Sequence, residues 1–174
     1  MNKNQFNFEC EDKYSPFELL SELLKEIEAA TKGYVVGKIE KYDGPIDSYI
    51  KKNGISTVIK VFNDSEESVD IQDSLGDISE TPANKFEVFL TAKVLDKYKY
   101  RIMFIEYGEI AYPAKFVLND SIAKIATDSH FYVLTIKSMS ELIELINKIY
   151  SSKYFVNILQ SIINESIRRE NGCK

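Results

Sequence analysis

The strongest constraint on the fold is the spacing of three apolar runs in the second half of the chain, Phe86 to Leu95, Arg101 to Tyr107 and Ala114 to Leu118. Only Asp96-Lys97-Tyr98-Lys99 and residues 108–113 separate them. A parallel return needs a crossover of about a dozen residues or more, so these connectors predict a three-stranded antiparallel meander. In its middle run, Ile102-Met103-Phe104-Ile105 is apolar at odd and even positions alike. That pattern predicts a central strand covered on both faces, with helices supplying part of the cover.

Helix signals flank the meander. Ser15-Pro16-Phe17-Glu18 combines a capping serine, a proline suited to the first helical position and the glutamate of a capping box. Phe17, Leu20, Leu23, Leu24 and Ile27 follow at helical spacing and Gly33 offers a stop, so a helix is predicted over about 16–31. Tyr34 to Glu40 and Ser56 to Phe62 read as strands, with a turn at Asp43-Gly44-Pro45 and a short helix through Ile46, Tyr49 and Ile50 between them. Asn119-Asp120-Ser121 caps a brief helix at Ile122 to Ala126, and Phe131 to Lys137 is a further strand. Ser138-Met139-Ser140-Glu141 repeats the capping box and opens a helix with the inward stripe Leu142, Leu145, Ile146 and Ile149. After Ser151-Ser152-Lys153 the apolar period resumes with Phe155, Val156, Leu159, Ile162, Ile163 and Ile167, which reads as a helical pair or one bent helix.

The predicted fold class is therefore α+β, a largely antiparallel sheet of about five to six strands with an N-terminal helix and a C-terminal helical pair packed on it. A chain of 174 residues has room for one domain, expected over 1–174 with flexible ends at about 1–13 and 170–174. Residues 63–84 break the periodic pattern. Asp64, Glu66, Glu67, Asp70, Asp73, Asp77 and Glu80 occur there with no Lys or Arg, the composition of a solvated acidic loop.

Charge narrows the partners. With 22 basic and 27 acidic residues the net charge is −5 and the pI about 5.1, which opposes broad attraction to nucleic acid or anionic lipid. The polar start Met1 to Asn7 has no following apolar core of a signal peptide, and no run of about 18 apolar residues occurs, so the expected compartment is the cytoplasm with no membrane partner.

Few residues suggest chemistry. His130, the single histidine, lies in a turn before a strand with no marked nucleophile or orienting acid. Cys10 and Cys173 sit near the chain ends, away from the fixed electropositive setting a reactive thiolate needs. No phosphate-binding glycine motif occurs, and no cofactor is called for. Glu87, Glu106 and Glu109, with Lys93, could form a nuclease-like divalent-metal site across adjacent strands, although Glu106 is followed by Tyr107-Gly108 and the compact acid-x-lysine pattern is missing. Asp70, Asp73 and Asp77 are oxygen ligands, but their spacing is not that of an EF-hand.

The remaining signal is aromatic: 11 Tyr and 10 Phe without Trp, with Tyr98, Tyr100, Tyr107 and Tyr112 gathered around the meander. Tyrosine supplies rigid contact area with a polar tip. The expected function is thus that of a protein-interaction protein of the immunity or antitoxin kind. Its partner would carry a basic surface, met by Glu66, Glu67, Asp70, Asp73 and Asp77 of the acidic loop or by Tyr98, Tyr107 and Tyr112. The alternatives are the metal-dependent carboxylate site and a small-ligand module with an aromatic pocket.

Overall fold

The computed structural model describes residues 11–44, 84–95, 97–127 and 132–172. Helix α1 spans Pro16–Ala30, and Ser15 caps it as its sequence requires. Ser15 Oγ accepts from the Glu18 amide at 3.3 Å, and the Glu18 carboxylate accepts from the Ser15 amide at 2.9 Å. At the other end Lys32 and Gly33 adopt positive φ, 53° and 78°, and the Gly33 amide donates to the Glu28 carbonyl at 2.8 Å. Buried Thr31 then joins helix to sheet: its hydroxyl donates to the Ile27 carbonyl at 2.8 Å and accepts from the Val35 amide at 3.2 Å.

Five strands follow, β1 Val36–Lys41, β2 Asn84–Thr91, β3 Tyr100–Tyr107, β4 Ala114–Leu118 and β5 Val133–Ile136. They form one sheet in sequence order with every pair antiparallel. The predicted meander is β2 to β4, and β1 and β5 extend it on either side. The predicted strand 56–62, the short helix at 46–50 and all seven acids of the loop lie outside the described residues.

The middle run is buried on both faces, as its pattern predicts, but not by simple alternation. Ile102, Met103, Phe104 and Ile105 are all at most 2% exposed. The β2–β3 register runs Val88 to Met103 and then Phe89 to Arg101, so it skips Ile102. This bulge lets Ile102 join Met103 and Ile105 in the main core. Phe104 alone lies in a second cluster, with Val117 and Tyr42, whose ring centroid is 4.6 Å away. The two-parity run is thus a bulge plus one aromatic on the second face.

Three further helices complete the described fold: α2 Asp120–Ala126, α3 Met139–Tyr150 and α4 Lys153–Glu170. Asn119 caps α2 through Ser121, and the Asn119 amide donates to the bulged Ile102 carbonyl at 2.9 Å. Ser138 caps α3, which buries the predicted stripe Leu142, Leu145, Ile146 and Ile149. Between α3 and α4, Ser152 is extended at φ −72°, ψ 136°, and its hydroxyl accepts from the Phe155 amide at 3.1 Å. The C-terminal region is therefore a pair of helices and not one bent helix. On α4, Phe155 and Ile162 are buried and Leu159 and Ile163 half-buried, whereas Val156 and Ile167 of the predicted stripe are exposed. Ahead of α1, Asp12 accepts from the Met139 amide at 2.7 Å.

Helix α1 approaches β1 most closely at Gly37, where an added Cβ would lie 2.5 Å from Leu24 Cδ2 and 2.8 Å from Leu24 Cβ. Gly37→Ala should therefore cost about 1–3 kcal/mol in urea unfolding by overpacking. In a Leu24→Ala background the same change should cost less, because Cδ2 and Cγ of Leu24 are gone and only the close Cβ remains. Equal costs in both backgrounds would show that the contact does not set the spacing of helix and sheet.

Candidate functional site

The carboxylates that sequence alone offered for metal chemistry do not converge. Glu87, on β2, is buried and takes a 2.7 Å ion pair from Lys99 Nζ and a 2.8 Å hydrogen bond from Arg101 Nε. Lys99 Nζ also lies 3.9 Å from the Phe89 ring centroid and the Arg101 guanidinium 4.8 Å from that of Phe104. Burial pushes the Glu87 carboxyl up, but the hydrogen bonds and charges of Lys99 and Arg101 outweigh it and hold the group below its ordinary value. Glu106 lies in register with Lys85 on one side and Lys115 on the other, and Glu109 follows the strand on an exposed bend. Among the described residues no three His, Cys, Asp or Glu gather where a metal ion could be held.

The candidate tyrosines divide. Tyr107 and Tyr112 are 7% and 8% exposed and belong to the main core. Burial raises the phenol of Tyr107, and burial followed by the charges of Asp12 and Tyr107 pushes Tyr112 up to about 12. These two rings pack beside the start of α1 and present little area to a partner. Tyr98 is 39% exposed in the turn between β2 and β3. Glu66, Glu67, Asp70, Asp73 and Asp77 lie outside the described residues, as do His130, Cys10 and Cys173.

Around Tyr98 the structure forms a groove that sequence reasoning did not find. One wall is the β2–β3 connection, with Leu95, Lys97 and Tyr98, and Tyr100 at the start of β3. The other is one face of α4, with Tyr154, Asn157, Ile158, Ser161, Ile162, Glu165 and Arg169. Two hollows of about 550 and 320 Å³ meet at Tyr98 and Ser161, which line both. From Tyr154 to Arg169 the helix wall runs roughly 22 Å at 1.5 Å per residue.

Local bonds hold each wall. The Tyr98 amide donates to the Leu95 carbonyl at 2.9 Å, and Thr91 Oγ1 donates to the Tyr98 carbonyl at 2.8 Å. Ser161 Oγ donates back to the Asn157 carbonyl at 2.8 Å. Glu165 accepts from Arg169 Nε at 2.8 Å and from Arg168, and these partners hold its carboxyl below the ordinary range. Burial, and then the nearness of Tyr154, push the Tyr98 phenol up. The groove's acid is thus committed to arginines; Lys97 adds a positive charge, and the rest of the lining is aromatic, aliphatic and uncharged polar. The signal for it in the sequence is the series 154, 157, 158, 161, 165 and 169, one helical face of mixed polarity that reads as an ordinary solvated surface.

In comparisons with known proteins the chain matches no family model, no curated protein and no solved structure.

The Glu87 cluster yields a pH prediction. A carboxyl whose folded pKa is depressed stabilises the fold above its unfolded value, near 4.5, and that contribution is lost as pH falls through the lower folded value. Because Lys99 and Arg101 are themselves 39% and 32% exposed and can rehydrate, Glu87→Gln should cost about 1–2 kcal/mol at neutral pH. The gap between wild type and variant in urea unfolding should narrow progressively below about pH 4.5. A gap constant from pH 7 to pH 3 would refute the assignment.

Proposed function

We propose that this chain is a protein-interaction protein whose partner lies along the groove between α4 and the β2–β3 turn. The observation that carries the reading is the pair Tyr98 and Tyr154, 39% and 41% exposed, on opposite walls of one open groove. Exposed tyrosines supply contact area at low entropic cost and are enriched where proteins meet. A groove of roughly 22 Å accommodates about six residues of extended chain at about 3.3 Å each, which suits a peptide segment better than a compact metabolite.

Charge adds direction. The net charge of −5 and the acids Glu66, Glu67, Asp70, Asp73 and Asp77 favour a partner with a basic surface, because complementary fields speed encounter and reject like-charged competitors. An immunity or antitoxin role is the specific form of this proposal: an acidic protein that covers a basic working surface of its target.

Cross-linking from defined positions tests the reading. A photoreactive phenylalanine replacing Tyr154, in cells that make the protein, should trap one protein that is not trapped from Ile143, which is 38% exposed on α3 and does not line the groove. Tyr98→Ala should abolish the product from position 154. The same product from both positions, or none from position 154, would contradict the proposal.

A further inference from the structure

The larger hollow, about 550 Å³, combines an apolar floor with a charged rim. Leu95 and Ile162, 5% and 2% exposed, supply the floor. Its charged lining residues are Lys97, Glu165 and Arg169, two cations against one acid. The local sign is thus opposite to that of the whole chain, whose net charge is −5. Glu165 does not use up these cations. It takes one hydrogen bond from Arg169, through Nε at 2.8 Å, and another from Arg168. Among the described residues the terminal nitrogens of Arg169 donate no hydrogen bond, and Lys97 enters neither a hydrogen bond nor an ion pair. A guanidinium carries several donors in a fixed fork, so Arg169 is oriented by Glu165 and still able to take a second carboxylate.

We infer that this hollow receives a carboxylate of the partner, on an aspartate or glutamate side chain of the segment that lies along the groove. The inference rests on the interaction reading above and specifies its chemistry. One excess positive charge matches one negative charge, and Glu165 in the same hollow repels a phosphate dianion more strongly than a monoanion. A nucleic-acid strand fits less well, because a chain of phosphates needs cations along its path and none lines the smaller hollow. Buried Leu95 and Ile162 keep water from one side of the ion pair, where screening is therefore weaker. Tyr98 lines the hollow as well, and its hydroxyl is a further donor. An acid here and basic groups elsewhere on the partner together fix its register, because shifted alignments bring like charges against each other.

Butyrate and butyramide have nearly the same shape and differ by one charge, so they separate carboxylate recognition from apolar filling. Each is titrated into the full chain at constant ionic strength while the NMR signals of the Arg169 Nε–H and the Tyr98 amide are followed. Butyrate should shift both saturably, and butyramide should bind at least about threefold more weakly. Inorganic phosphate under the same conditions should bind no tighter than butyrate. Lys97→Gln combined with Arg169→Gln should weaken butyrate by about threefold to thirtyfold and leave butyramide unchanged. An unchanged melting temperature shows that the double variant remains folded, as expected for an exposed Lys97 and an Arg169 side chain 57% exposed. Equal binding of butyrate and butyramide, no binding of either, tighter binding of phosphate, or full butyrate affinity in the double variant would overturn the carboxylate site. The cross-link from position 154 reports separately on the partner: its survival beside a failed butyrate test keeps the interaction and removes the carboxylate site, and its loss beside butyrate binding does the reverse.

Discussion

Everything in the described fold is referred to β3. It pairs with β2 on one side and β4 on the other, and its residues Ile102 to Ile105 are almost wholly withdrawn from water. Burying side chains of this size contributes about 1.5–3 kcal/mol each, so this short stretch is a large share of what holds the sheet. The bulge at Ile102 makes the arrangement work. It places two consecutive side chains in the main core, while on the other edge the Ile102 carbonyl accepts from the Asn119 amide and carries the β3–β4 register to the start of α2. A regular register would have turned one of those side chains to the opposite face.

The groove follows from how little of α4 is used for anchoring. Phe155, stacked on Tyr150 at 5.1 Å between centroids, and Ile162 fasten the helix to the core. The extended Ser152 resets the chain direction after α3, which turns the face from Tyr154 to Arg169 toward the β2–β3 connection. That connection is itself tied down by Thr91 and Leu95, so the Tyr98 wall has a defined position. A groove built between a helix face and a bonded turn needs little reordering for the binding proposed above, and lost freedom is a principal cost of association.

The sequence made some of this legible for physical reasons. Ser15, Asn119 and Ser138 announced helix starts because a capping hydroxyl or amide bonds the chain a few residues away, which is local information. Short connectors made the antiparallel order of β2, β3 and β4 readable, and the stripe of α3 matched its buried face residue for residue. The bulge was invisible, because Ile102-Met103-Phe104-Ile105 reads identically whether a strand is covered on two faces or shifted in register. Val156 and Ile167 fit the apolar period of α4 and yet stay exposed, since the helix packs on a narrower stripe than its sequence offers. Tyr98 was visible as a candidate, but its partner wall was not: Tyr154, Asn157 and Ser161 meet it only through tertiary packing. The buried tyrosines Tyr107 and Tyr112 look no different in sequence from the exposed one.

Native-state amide exchange across β3 tests most directly whether this strand is the frame on which the sheet and the groove depend. The amides of Met103, Phe104 and Ile105 should exchange only through global unfolding, with protection equal to the stability measured by urea, while the last turn of α4 around Arg168 exchanges faster through local fraying. Exchange at Met103 to Ile105 as fast as at Arg168 would contradict the account, because a strand that opens locally cannot be what positions the helices and the Tyr98 wall.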